Sequence, residues 1–128
     1  MATSTRTLPR AVVAAIDASK ILGIRAGSRC DHRFTGVWPI VLNGRVFARS
    51  WTVKPGGWYH TFRADPLGVL QVGERQVRIK AVPVRRERVL DAIEEAYARK
   101  YPTPGSRKYV RGFRTARRRA ATMEFVRR

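Results

Sequence analysis

The sequence predicts an α+β protein in which a small, partly open antiparallel β-barrel of about five or six strands carries an N-terminal helix and a helix over residues 86–101. Three patterns predict this. Asn43-Gly44 joins two runs rich in β-branched and aromatic residues, residues 67–82 contain a second hairpin pattern, and residues 86–101 repeat apolar side chains at helical spacing. Small twisted sheets commonly remove exposed edges by curling into barrels.

The chain is predicted to begin with a flexible segment, residues 1–7, followed by a single domain over residues 8–128. Thr7 is expected to cap a helix that Leu8-Pro9 opens, because proline suits the first helical turn. Gly23 is expected to end this helix. Residues 25–33 then predict a short extended segment.

The first hairpin joins residues 37–42 to residues 45–51 at Asn43-Gly44, whose residues tolerate positive φ. Side chains alternate along a strand, so two guanidiniums and two aromatic rings share one face of the second arm. These are Arg45, Phe47, Arg49 and Trp51. We interpret this mixed face as the functional surface of the protein. A glycine-rich loop over residues 54–57 leads to Trp58-Tyr59.

The second hairpin pairs residues 67–72 with residues 76–82, and the second arm alternates strictly between apolar and basic residues. The helix over residues 86–101 has one apolar stripe and ends before Pro102. Residues 108–118 predict a short basic helix, and residues 121–126 predict a closing strand.

The composition indicates a folded and very basic protein. Of the 128 residues 44% are apolar, and the formal net charge is +18 at pH 7. Such a charge attracts nucleic acid, phosphorylated cofactors and other polyanions. Arginine predominates over lysine, which fits recognition of planar anions and fits codon bias equally well.

Cysteine usage and hydropathy favour a soluble, cytoplasmic protein with no membrane contact. The single cysteine, Cys30, cannot form an internal disulfide, as is typical of a reducing compartment. The longest apolar run near the N-terminus, residues 11–16, is far shorter than the ~20 residues of a membrane-spanning helix.

Several kinds of catalytic site find no support in the sequence. The two histidines have no partners at metal-ligand spacing, so no metal site is expected. The glycines lack the strand–glycine–helix context of a phosphate-binding loop, and no serine lies in a nucleophile elbow.

Arg49, Ser50 and Trp51 form the first candidate site. Arginine offers a fixed fork of donors to phosphate oxygens, the serine hydroxyl adds another donor, and an indole can lie against an aromatic ring. The alternative is an exposed arginine beside a core tryptophan. His32 and Arg33 could bind an anion or exchange a proton, although a structural histidine fits as well.

Five separated blocks, in order, resemble the bacterial domain-of-unknown-function family numbered 2255. The blocks are His32-Arg33-Phe34-Thr35-Gly36-Val37-Trp38, Arg45-Val46-Phe47-Ala48-Arg49-Ser50-Trp51, Trp58-Tyr59, Ala96-Tyr97-Ala98-Arg99-Lys100-Tyr101 and Ala121-Thr122-Met123-Glu124-Phe125. That family is similar in turn to the split-barrel flavin and deazaflavin proteins. The block Trp58-Tyr59-His60, followed by Ala64-Asp65-Pro66, is similar to a segment of the deazaflavin-dependent nitroreductase group.

The resemblance implies a split barrel that binds FMN or a deazaflavin coenzyme, often at a dimer interface. A homodimer and a flavin- or deazaflavin-dependent oxidoreductase activity are therefore expected, with the substrate unassigned. The expected cofactor-binding residues are His32, Arg33, Trp38, Arg49, Ser50, Trp51, Trp58 and Tyr59. Arg49 would hold phosphate, Trp51 or Trp38 would stack on the ring, and His32 or Tyr59 would tune or protonate it.

The alternative hypothesis is a non-catalytic module that binds nucleic acid or another polyanion through the basic C-terminal segment. Its candidate residues are Arg107, Lys108, Arg111, Arg114, Arg117, Arg118 and Arg119, which interleave with Tyr109 and Phe113. Arginines with aromatic rings suit backbone neutralisation and base stacking. A third hypothesis is a barrel that has lost its cofactor and acts through protein contacts.

Overall fold

The computed structural model describes residues 6–29 and 33–128, and these form seven strands and five helices. In chain order the elements are α1 (Arg10–Ala18), β1 (Leu22–Ala26), β2 (Thr35–Val37), β3 (Pro39–Leu42), β4 (Arg45–Arg49), α2 (Trp58–Ala64), β5 (Leu67–Val72), β6 (Arg75–Pro83), α3 (Glu87–Lys100), α4 (Pro104–Gly112), α5 (Ala116–Arg119) and β7 (Thr122–Arg127). The predicted α+β class is confirmed. Two helices, α4 and α5, replace the single basic helix expected over residues 108–118.

All seven strands lie in one antiparallel sheet of order β2-β1-β5-β6-β7-β4-β3. The two edge strands, β2 and β3, are separated in the chain only by Trp38. Val37 pairs with Leu22 of β1, and Pro39 pairs with Ala48 of β4. The chain therefore changes partner strand at Trp38, which brings the two edges of the sheet together and nearly closes the barrel.

The predicted hairpin turns are present. Asn43 has φ 52° and Gly44 has φ 76°, so both central residues of the first turn adopt the left-handed region that this turn requires. Leu42 pairs with Arg45 directly across it. The second hairpin closes between Val72 and Arg75, one residue earlier than the sequence pattern indicated.

Two apolar cores lie on opposite faces of β4. Val46 and Ala48 pack inside the barrel with α1 and α2, whereas Phe47 packs outside it with Ile93 and Tyr97 of α3. The alternation along β4 was predicted from the sequence. The helix that covers its mixed face was not, and this covering decides the surroundings of Arg49.

The first helix differs from the prediction at both ends. Its N-cap residue is Pro9 and not Thr7, and it ends at Ala18, before Gly23. Gly23 lies in β1, where Leu22, Ile24 and Ala26 alternate inward. This alternation makes residues 22–26 a strand, which raises the strand count above the five or six expected.

Residues 58–64 form a helix although their aromatic and β-branched side chains favour strand. Tertiary packing overrides that preference, because Phe62 is buried against β1 and β5. Gly68 makes this approach possible. A Cβ there would lie 2.6 Å from the Arg25 carbonyl oxygen and 2.7 Å from Cε1 of Phe62.

Within residues 6–29 and 33–128, no helix has the length and apolar character needed to cross a bilayer.

Candidate functional site

Three tryptophans from separate parts of the chain line one recess of about 270 Å³. Trp38 lies at the junction of β2 and β3, Trp51 follows β4, and Trp58 begins α2. The complete lining is Thr35, Gly36, Val37, Trp38, Arg49, Trp51, Thr52, Trp58, Tyr109 and Phe113. We call this cavity the tryptophan recess. It contains all three tryptophans of the protein.

Aromatic contacts hold the recess in shape. Trp38 stacks on Tyr101, with ring centroids 4.3 Å apart and an interplanar angle of 6°. Trp38 and Trp51 both meet Tyr109 and Phe113 edge to face. Such geometry is favourable for aromatic quadrupoles. Trp51 and Tyr109 remain 39% and 37% exposed, so rings at the recess are accessible from solvent.

The position of Trp51 depends on α4 and α5. The Arg118 guanidinium lies over the indole at 3.6 Å from the ring centroid, and its Nε donates to the Trp51 carbonyl oxygen at 2.8 Å. On another side, a Cβ at Gly112 would lie 2.5 Å from Cη2 of Trp51. The helix can approach the indole this closely only because residue 112 is glycine.

Arg49 also lines the recess, but its guanidinium is committed to protein groups and its side chain is fully buried. Nε donates to Thr122, Nη1 donates to Glu94 and to the Phe113 carbonyl oxygen, and Nη2 donates to the Leu90 carbonyl oxygen. Burial lowers the pKa of Arg49, and the bond to Glu94 opposes that shift.

Arg49 and Ser50, which were expected to contact a phosphate, form hydrogen bonds to protein groups in this structure. The donors of Arg49 are used in joining β4 to α3 and β7. Ser50 is fully buried, and its hydroxyl donates to the Thr52 carbonyl oxygen at 2.7 Å. Arg49 is part of the wall of the recess, and Ser50 lies next to it in the chain.

A buried tyrosine connects the same wall to the barrel junction. The Tyr97 hydroxyl accepts a hydrogen bond from the Arg49 backbone N–H at 2.9 Å and donates to the Trp38 carbonyl oxygen at 2.6 Å. Burial raises the pKa of Tyr97 well above its ordinary value. This hydroxyl stays protonated, and it ties α3 to the backbone beside two lining residues.

Two other expected cofactor-binding residues, Tyr59 and Arg33, do not line the recess. Tyr59 is buried. Arg33 is exposed just before β2 and is not a lining residue. His32 lies outside the described residues, as does Cys30. His60 contacts the Val53 carbonyl oxygen at 3.2 Å.

The lining residues that the sequence reasoning missed come from β2, the loop after β4, and α4. They are Thr35, Gly36, Val37, Thr52, Tyr109 and Phe113. Tyr109 and Phe113 are four residues apart, the spacing that places two side chains on the same side of a helix. That spacing could have marked them as a pair facing the barrel.

In the basic C-terminal segment, Phe113, Arg118 and Arg119 contact other parts of the protein, whereas Tyr109 is 37% exposed. Phe113 is buried, and Arg118 covers Trp51. Arg119 forms ion pairs with Glu87, Asp91 and Glu94. The bond to Glu94 is the main cause of a raised pKa of Arg119. The remaining candidates are exposed, and they are Arg107, Lys108, Arg111, Arg114 and Arg117.

Histidine, cysteine and carboxylate side chains do not gather into any group of three that could hold a metal ion, within the ranges 6–29 and 33–128.

The family model described as "Uncharacterized protein conserved in bacteria (DUF2255)" matches residues 12–125 of this chain. No curated protein matches the sequence of this chain.

Three solved structures illustrate the similarity in fold. An F420-H2 dependent reductase (FDR-A) has a TM-score of 0.58 at 16% identity, covering 84% of this chain and 93% of that one. A FAD-binding protein from Mesorhizobium loti has a TM-score of 0.55 at 15% identity, with 94% and 89% covered. A structure described as a domain-swapped dimer has a TM-score of 0.55 at 16% identity, with 83% and 78% covered. The likeness shows a shared split-barrel fold.

Proposed function

Because this chain belongs to the DUF2255 family and has the split-barrel fold, we propose that it binds a flavin or deazaflavin cofactor in the tryptophan recess. The observation that carries the proposal is the convergence of all three tryptophans on one accessible cavity. Two of the matching structures are named for an F420-dependent reductase and a FAD-binding protein, which supports the same choice of ligand.

The size of the recess fits the ring of such a cofactor. Its 270 Å³ lies close to the lower end of ligand pockets, which span roughly 300–1,000 Å³. A planar tricyclic ring can enter, whereas the phosphorylated tail must extend to the surface. The indoles of Trp38, Trp51 and Trp58 would hold the ring, since aromatic faces offer large apolar contact.

Two cations beside the recess are suited to hold the anionic tail. Arg118 lies over Trp51, and no partner is recorded for its Nη2 among the described residues. Lys108 lies over the ring of Tyr109 at 5.2 Å from the centroid. We assign to these two residues the phosphate-binding role that the sequence had suggested for Arg49, because their charged groups are near lining rings and not buried.

When bound, a flavin or deazaflavin ring supplies hydride transfer. The described residues would bind and orient the ring and exclude water from one side of it. Among the residues that the structure describes, the lining of the tryptophan recess contains no carboxylate, imidazole or amine. Its side-chain hydroxyls belong to Thr35, Thr52 and Tyr109. We therefore place the protein's contribution in binding and orientation.

The proposal is tested by titrating the purified protein with FMN, riboflavin and F420 and following tryptophan quenching and cofactor fluorescence. We expect a dissociation constant in the micromolar range for FMN or F420, with FMN binding more tightly than riboflavin because of its phosphate. Affinities no tighter than about 1 mM for all three ligands would end the proposal.

The role of Arg118 has a matched control on the same helix. Arg118→Gln should weaken FMN binding more than riboflavin binding, since the lost group faces the phosphate. Arg117→Gln removes the same charge from an exposed neighbour and should change neither affinity by more than about twofold. Equal losses in the two variants would show that only the overall charge of the protein acts on FMN.

Homodimer formation and a cytoplasmic location stay proposals. A domain-swapped dimer among the matching structures supports the first. Light scattering after size-exclusion chromatography, with and without FMN, would measure the oligomeric state.

A further inference from the structure

A second cavity, of about 710 Å³, shares no lining residue with the tryptophan recess. It lies where the β3–β4 turn, β6, β7 and the start of α3 meet, and it contains four arginines. Its lining is Arg6, Thr7, Asn43, Gly44, Arg45, Val82, Pro83, Val84, Arg85, Arg86, Val89, Glu124 and Val126. We call it the arginine groove.

Three of the four arginines in the groove have uncompensated charges. Arg45 donates two hydrogen bonds to Glu124, at 3.0 and 2.8 Å, so this pair is neutral. Arg6, Arg85 and Arg86 are exposed, and none has a carboxylate partner within residues 6–29 and 33–128. The groove therefore carries a net positive charge of three, from different parts of the chain.

The backbone at Arg6 is held by hydrogen bonds from β7. The backbone N–H of Arg127 donates to the Arg6 carbonyl oxygen at 2.8 Å, and the Arg127 side chain donates to the Thr7 carbonyl oxygen at the same distance. These bonds fix the backbone that presents Arg6. The backbone of Arg85 and Arg86 is placed by its position between β6 and α3.

The groove also has an apolar part. Its apolar lining residues are Val82, Pro83, Val84, Val89 and Val126. Covering this valine and proline surface with an apolar ring is favourable, because apolar area is removed from water. An inorganic anion would use the arginines and leave this surface in water.

We propose that the arginine groove binds an organic phosphate whose apolar body lies on the valines and whose phosphates lie on Arg6, Arg85 and Arg86. Guanidiniums present donors in a planar fork that matches phosphate oxygens. The volume of 710 Å³ is ample for a ligand the size of a nucleotide. This site is independent of cofactor binding in the tryptophan recess.

Comparison of ATP with inorganic tripolyphosphate distinguishes the groove from the general field of a protein with net charge +18. Tripolyphosphate carries at least as much negative charge as ATP and has no apolar body. By calorimetry at about 150 mM salt, where the screening length is about 8 Å, we expect ATP to bind more tightly. Equal or tighter binding of tripolyphosphate would overturn the proposal.

A pair of double variants locates the site. Arg85→Gln with Arg86→Gln should weaken ATP binding about tenfold, as expected for loss of charged hydrogen-bond donors. Arg75→Gln with Arg78→Gln removes the same charge from exposed positions of β6 outside the groove and should change affinity less than about twofold. Equal losses would overturn the proposal.

Tryptophan emission provides an independent check of the location. The groove has no tryptophan in its lining, so saturating ATP should leave the emission unchanged. Strong quenching by ATP would place the nucleotide in the tryptophan recess and would also overturn the proposal.

Discussion

Arg45 and Arg49 lie four residues apart on β4, and each donates to a glutamate. Their surroundings differ strongly. The Arg45 side chain is 44% exposed, whereas that of Arg49 is 0% exposed and also bonds Thr122 and two carbonyl oxygens. An exposed ion pair contributes little to stability, while breaking a buried one leaves an uncompensated charge inside the protein.

These two arginines provide a matched test of buried charge. Arg49→Met should lower the free energy of unfolding by about 1–3 kcal/mol, because the Leu90 and Phe113 carbonyl oxygens lose a buried donor, while Glu94 keeps its ion pair with Arg119. Arg45→Met should cost about 0–1 kcal/mol. Guanidinium denaturation of both variants measures the difference. Equal costs would contradict the structural role assigned to Arg49.

Asp65 offers a second residue-scale prediction, on pH dependence. Its carboxylate accepts hydrogen bonds from the Ser28 hydroxyl and backbone N–H, both at 2.7 Å. The hydroxyl bond is the largest cause of a pKa of Asp65 below its ordinary 3.8. Because the folded pKa is lower than the unfolded one, this carboxylate stabilises the fold above pH 3.8 and loses that contribution on further acidification.

Carboxyl NMR titration checks this prediction. Ser28→Ala should raise the pKa of Asp65 towards 3.8, while the backbone bond keeps part of the shift. Ser19→Ala removes a hydroxyl that donates instead to the Ile21 carbonyl oxygen, so it should leave Asp65 unchanged. An Asp65 that titrates at or above 3.8 in the unmodified protein would refute the assignment.

At the residue scale, sequence reasoning placed the tryptophans and several polar groups at one cofactor site, and this assignment stays a prediction. Aromatic side chains at Trp38, Trp51 and Trp58 were expected near a ligand, and all three line the recess. Alternation along β4 placed Arg49 on the mixed face, but alternation cannot show which helix covers that face. Packing of α3 on β4 buried Arg49, and this depends on contacts between residues about 45 positions apart.

Helix α4 determines the shape of the recess at the element scale. It carries Tyr109 in the lining, and its last residue, Gly112, lies against the edge of Trp51. Gly105, at the other end of the same helix, has no atom within 4 Å of where a Cβ would lie. Both glycines lie at the ends of the helix, so each lowers its intrinsic stability by at most about 1 kcal/mol relative to alanine.

Alanine substitutions at these two glycines therefore distinguish an effect on helix stability from an effect on the shape of the recess. Gly112→Ala should displace the Trp51 indole and weaken FMN binding, with a shift of tryptophan emission. Gly105→Ala should leave FMN affinity unchanged, although both substitutions favour the helix. Fluorescence titration measures both effects. Unchanged FMN affinity and emission in Gly112→Ala would show that the position of Trp51 does not matter for binding.

The elements differed in how well the sequence predicted them. The Asn43-Gly44 turn and the apolar stripe of α3 were predicted correctly, because local backbone and periodicity determine both. The helix α2 was not, since its residues favour strand and the packing of Phe62 against Gly68 depends on tertiary contacts. Strand β1 was missed because its inward alternation is short and begins beside Gly23.

At the scale of the whole molecule, closure of the barrel brings together the residues that line the tryptophan recess. Trp38 joins the two edge strands, and the cavity opens beside that junction between β2, the end of β4, α2 and α4. The family resemblance predicted the split barrel correctly. The arginine groove lies among other elements of the barrel, so two ligands could be bound without competing.

The central claim is that a cofactor ring lies among the three indoles of the recess, and NMR tests it most directly. The protein has three tryptophans, so a ¹H–¹⁵N spectrum contains three indole N–H signals. Addition of FMN or F420 should shift or broaden all three at a single dissociation constant. Indole signals that remain unchanged at saturating concentrations of both cofactors would contradict the account.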